Sequence, residues 1–109
     1  MKSTFKKLVM TLITTTTLFS SSVYAKEHVV EIFKKKYIPE KLTIAIGDTV
    51  IWKNIEKRQY HNVWFKSLDK EEPGYFFPDE TYTKTFNDKG TFDYECGPHP
   101  KMKGSITVE

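Results

Sequence analysis

Thr91-Phe92-Asp93-Tyr94-Glu95-Cys96-Gly97-Pro98-His99-Pro100-Lys101-Met102 divides in the middle. Up to Cys96 the large side chains fall at every second position, the period of a strand with one buried face. Phe92, Tyr94 and Cys96 therefore share a side, and the thiol stands at the inner end of the strand. Beyond Cys96 a helix is excluded. Pro98 and Pro100 fix their own φ and push the residues before them towards extended geometry, while Gly97 turns where a side chain would obstruct. The strand gives way to a short, stiff loop presenting Cys96, His99 and Met102 at three-residue steps.

Those three side chains supply a thiolate, an imidazole and a thioether, and His61, far upstream, offers a second imidazole. Soft sulfur donors select copper, and a trigonal His₂Cys site with a weak axial Met describes an electron-transfer copper centre. Two other readings compete. Cys96 could be an inert buried thiol, or a nucleophile with His99 or His61 as its base, but neither accounts for Met102 at its fixed interval. Three histidines leave none for additional copper centres of an oxidase type, and one cysteine rules out a dinuclear thiolate site.

Outward from this loop the mature chain reads as β throughout. His28–Phe33 is rich in β-branched and aromatic residues. In Leu42-Thr43-Ile44-Ala45-Ile46 the large side chains alternate, Gly47-Asp48 is a turn, and Thr49–Asn54 follows as the expected hairpin mate. His61–Phe65 is extended after a polar connection. Lys66–Glu80 is mostly loop, with Tyr75-Phe76-Phe77 expected to lie back on the core. Thr81–Phe86, Thr91–Cys96 and Gly104–Glu109 complete the set, separated by Asn87-Asp88-Lys89-Gly90 and the ligand loop. Lys34-Lys35-Lys36 reads as a solvated loop rather than a partner patch, and His28, next to the expected new terminus, as solvent-facing. Such a run of short strands predicts an all-β, antiparallel sandwich or barrel, with His61 and Cys96 meeting at one end.

The N-terminus belongs to another category. Lys2, Lys6 and Lys7 precede an apolar, Thr-rich run over Leu8–Phe19, then Ser20-Ser21-Ser22 and Val23-Tyr24-Ala25, which reads as a secretory signal peptide over 1–25 with the domain at 26–109. About twelve apolar residues broken by Thr14–Thr17 fall short of the roughly 20 that span a bilayer. No cysteine near the cut offers a lipid anchor. The formal charge of +3 belongs to the leader, because without its three lysines the chain has 14 basic and 14 acidic residues. The overall basicity therefore gives no licence for a nucleic-acid reading, which would need a basic patch on the folded domain. An exported protein with one unpaired cysteine is itself unusual, and a metal-bound thiolate explains it.

The ligand loop, together with Gly47-Asp48-Thr49-Val50-Ile51-Trp52, His61-Asn62-Val63 and Gly90–Cys96, resembles the cupredoxins, the type 1 blue copper proteins, and in its short Cys–His–Met loop resembles amicyanin more than plastocyanin. The resemblance implies a Greek-key sandwich holding one copper ion, Cu(I) or Cu(II), on His61, Cys96, His99 and Met102. It implies that Asn62 offers its backbone amide to the Cys sulfur and its side chain to the ligand loop, while Gly97, Pro98 and Pro100 shape that loop. His99 would be the surface edge through which electrons pass, inside a docking rim of Pro98, Pro100, Lys101 and Lys103. The implied function is a monomeric, periplasmic one-electron carrier, not an enzyme, serving redox proteins such as a c-type cytochrome or a dehydrogenase. A copper delivery or storage protein using the same ligands is the alternative. The chain departs from the pattern twice: Gly97 stands where a hydroxyl residue commonly follows the Cys, and Lys101 where an aromatic stands.

Overall fold

In the computed structural model, which describes residues 24–109, alternation becomes strand wherever one face can be buried. β1 (Glu27–Phe33) buries Val30 and Ile32, β4 (Thr49–Asn54) buries Val50, Trp52 and Asn54, β6 (Gly90–Glu95) buries Tyr94, and β7 (Lys103–Val108) buries Gly104, Ile106 and Val108. Three shorter strands, β2 (Lys36–Ile38), β3 (Lys41–Ile44) and β5 (Thr81–Thr85), fill the remaining places. They form two facing sheets in the orders β2-β1-β4-β5 and β3-β7-β6. Among the described residues there is no helix, and so none long and apolar enough to cross a membrane.

Trp52 joins the sheets. Fully buried on β4, its ring meets Tyr94 of the opposite sheet edge-on at 5.4 Å, Phe65 at 6.0 Å and Tyr82 at 5.6 Å. Tyr94 also packs edge-on against Tyr37 of β2, 4.6 Å between centroids. Its ring lies over Gly104, its register partner on β7, so closely that a Cβ there would fall on the phenol.

Four expectations are corrected. β3 and β4 are not a hairpin. β3 pairs in parallel with β7, and β4 pairs in parallel with β1 and antiparallel with β5, so the Gly47-Asp48 turn carries the chain from one sheet to the other and both sheets are mixed. With its strand ending at Ile44, Ile46 stays exposed. Of Tyr75, Phe76 and Phe77 only Phe76 reaches the core, because its backbone pairs with His61 and so forces its neighbours outward. There Tyr60 covers Tyr75 and Phe77, with ring centroids 4.9 and 5.7 Å away. Finally, His28 is not free in solvent: its Nε2 lies 2.9 Å from Asp48 Oδ2. The expected leader lies outside the described residues, apart from the irregular, exposed Tyr24 and Ala25.

Candidate metal centre

Two backbone stitches bring His61 to Cys96. His61 and Phe76 exchange N–H···O bonds of 3.1 and 2.8 Å, and Trp64 and Glu95, at the end of β6, exchange bonds of 2.9 and 3.1 Å. The segment 61–64 is thereby laid beside the strand end from which Cys96 projects. Buried Asn54 shapes the approach, its Nδ2 donating to Gln59 and Phe76 carbonyls while its Oδ1 accepts from the Glu56 amide. The ligand loop closes on itself: Cys96 N–H donates to the Met102 carbonyl (3.1 Å), His99 N–H to that of Cys96 (3.2 Å) and Met102 N–H to that of His99 (2.9 Å).

The result is convergence at one pole. Cys96 Sγ lies 3.6 Å from His61 Nδ1 and 3.5 Å from His99 Nδ1, and the three donor atoms all fall within 4.8 Å of one another. A divalent first-row ion with zinc-like bonds, about 2.0–2.1 Å to nitrogen and about 2.3 Å to sulfur, would at an angle of roughly 110–120° hold N and S about 3.6–3.8 Å apart. The donors therefore fit a single ion. His61 and Cys96 are wholly buried, Met102 is buried beside them in the core, and His99 is partly open to the surface.

Electrostatics favour the same occupant. Burial pushes the Cys96 thiol up, with the Glu72 carboxylate adding to it, while the Asn62 and His99 amides and the Tyr37 hydroxyl pull the other way. Burial likewise pushes both imidazoles down, assisted at His61 by His99 and at His99 by Lys35, and opposed at both by Glu56. Without a cation this is a thiol between neutral imidazoles, and a metal ion that displaces the proton supplies the positive charge that a buried thiolate lacks.

Around the donors, Asn62 bridges the two halves. Its Oδ1 accepts from Gly97 N–H at 2.7 Å, and its Nδ2 donates to Glu72 Oε2 and the Pro73 carbonyl, both at 3.1 Å. Gly97 makes room in a way that spacing could not reveal: a Cβ there would fall on the Glu72 carboxylate, which would have to swing away from Asn62. The Glu72 carboxylate thus lies where a side chain at 97 would begin. Tyr37 is a second unanticipated residue, its hydroxyl donating to the Asn62 carbonyl at 2.7 Å from full burial. A lone aromatic after three lysines was the available signal. At the surface, Pro100 and Lys101 lie at the His99 edge with Lys35, whereas Lys103 sits on β7 opposite Glu95 and faces a separate depression beside Trp64 and Lys66.

Known proteins agree with this geometry. The plastocyanin/azurin family of copper binding proteins matches residues 25–109. Amicyanin of Paracoccus versutus is 40% identical over 94 residues, covering 83% of this chain and 70% of that one, and amicyanin of Paracoccus denitrificans is 41% identical over 85 residues, covering 74% and 64%. The crystal structure of the P. versutus protein superposes with a TM-score of 0.71 at 39% identity over 82% of this chain and 87% of the other.

Proposed function

The chain belongs to the plastocyanin/azurin family of copper-binding proteins, and from that premise we propose that it is an exported, soluble one-electron carrier whose copper ion is held by His61, Cys96, His99 and Met102. The observation that carries the reading is the placement of the Cys96 sulfur at near-equal distances from two imidazole nitrogens inside the core. Copper, when bound there, supplies a centre that takes up and gives back a single electron.

The chain's contribution is to keep the donors still. His61 is fixed by the bridge to Phe76, Cys96 by its place after β6, and His99 by the loop's own hydrogen bonds. Asn62 locks one half to the other through the Gly97 amide. Ligands held this way need move little when the charge of the site changes, which is what fast outer-sphere transfer requires. Met102, buried beside His99, would offer the ion its thioether as a weak further donor, a contact by which such sites tune their potential. Partly exposed His99 is the port, which lets a partner approach without opening the core. Redox proteins such as a c-type cytochrome or a dehydrogenase are the proposed partners, and no substrate chemistry is assigned.

Export to the periplasm is supported by the basic, apolar and small-residue order of 1–25 and by a family match that begins at residue 25. Voltammetry of the copper-loaded protein tests the function. Reversible one-electron cycling is expected, and a colourless Cu(I) form that will not cycle would point to delivery or storage instead.

A further inference from the structure

Resting on the carrier reading, we propose that Lys35 and Lys101 flank the exposed edge of His99 as a two-point basic clamp, which receives a redox protein whose electron entry is rimmed by carboxylates. A shallow depression of about 340 Å³ opens at this edge, lined by Lys35, His99, Pro100, Lys101 and Met102. Its floor is apolar and its charged walls are both cationic. The two lysines come from distant parts of the sequence: Lys101 from the ligand loop and Lys35 from the turn between β1 and β2.

That turn is built to hold its position. Phe33 pairs with Lys36, leaving Lys34 and Lys35 as a two-residue connection, and both take positive φ, 54° and 55°. This is the hairpin geometry that matches strand twist, normally filled by Asn and Gly, and each lysine forgoes about 1–2 kcal/mol to adopt it. The Lys35 amide is then pinned by Glu56 Oε1 at 2.7 Å, which ties the turn to the connection leading into His61. Among the described residues neither Lys35 nor Lys101 forms an ion pair, the lysine that does being Lys66, with Glu95. Residues 26–109 are formally neutral once Lys2, Lys6 and Lys7 are set aside, and with the Glu56 carboxylate turned to the Lys35 amide and His61 and that of Glu72 to Asn62, the cationic character is confined to the depression at the His99 edge.

Charge at a rim governs the rate and orientation of encounter more than affinity, and its reach is a Debye length of about 8 Å at physiological salt. Two lysines astride an apolar floor suit a partner that is steered in and then seated dry against His99. Formal neutrality and the small number of cations favour an acidic protein over an extended polyanionic surface such as a lipid bilayer.

The test uses hexacyanochromate(III), a paramagnetic, redox-inert trianion, added to the isotope-labelled protein without copper. Broadening of amide signals is expected to centre on Lys34–Lys36 and His99–Met102, and to vanish in Lys35→Asn combined with Lys101→Gln; asparagine keeps the left-handed turn accessible. In the copper-loaded protein, hexacyanoferrate(III) then takes one electron, Cu(I) becoming Cu(II) as Fe(III) becomes Fe(II). The double variant should slow this step by about tenfold at low ionic strength, while oxidation by the cationic tris(phenanthroline)cobalt(III) does not slow. Broadening centred on another face, equal slowing by both oxidants, or lysine-dependent sedimentation with anionic vesicles would each overturn the clamp. Because the broadening is read without copper, failure of the carrier reading shows separately, as absent redox cycling.

Discussion

At Gly97, where the family resemblance leads one to expect a hydroxyl, the space beside the backbone is filled in a way visible only in three dimensions. The Glu72 carboxylate fills the space a side chain at 97 would take, and Asn62 holds both the Gly97 amide and Glu72. Gly97→Ala should therefore push the Glu72 carboxylate aside and cost about 1 kcal/mol through the lost Asn62–Glu72 hydrogen bond, and should cost less once Glu72→Ala has already removed that bond. Urea unfolding of the two single variants and the double variant measures this coupling, and additive effects would mean that the residues do not share the space. Cys96, His99 and Met102 are legible in the sequence because chain neighbours must be spatial neighbours in so tight a loop. Glu72 is not, because within Lys70-Glu71-Glu72 nothing distinguishes the carboxylate that accepts from Asn62 from two charges that face only water.

Among the elements, the β3–β4 passage shows where reading by alternation stops. The bounds of Thr49–Asn54 are plain from its residues, yet its partner is not, since a Gly-Asp turn looks the same whether the chain folds back or crosses to another sheet. What fixes the crossing is Asp48. Its carboxylate accepts from the Lys26 amide at 2.9 Å, from His28 at 2.9 Å and from the Ala45 amide at 3.0 Å, joining the start of β1 to the turn. Those bonds, the Lys26 amide first, hold the Asp48 carboxyl down at about 2, below the roughly 3.9 of an unfolded aspartate. The stabilisation is fully present above the unfolded value and is lost as pH falls through the folded one. Asp48→Asn should accordingly lower the urea midpoint at pH 6, with the gap to the parent narrowing between about pH 4 and 2. A gap constant across that window would show that the charge is not what stabilises the turn.

For the whole molecule, aromatic burial and metal binding divide the work of stability. Trp52→Ala removes the ring that meets Tyr94, Phe65 and Tyr82 across the sheets and should cost about 3–5 kcal/mol in urea unfolding. Copper adds to the folded state by mass action, about 2.7 kcal/mol at a free concentration one hundred times the dissociation constant. Chelation should thus lower the melting temperature without altering the sheets. The sandwich itself can be anticipated from short alternating runs and turn residues, whereas β2 and the tandem left-handed lysines before it cannot, because three consecutive lysines carry no alternation to read.

The sharpest test of the copper site is the electron-spin spectrum of the protein loaded with one equivalent of Cu(II). Cys96 between His61 and His99 predicts the small parallel hyperfine splitting of a copper–thiolate centre, in an intensely blue solution. A large splitting from a pale solution, unchanged in Cys96→Ser, would mean that copper does not bind where these side chains converge.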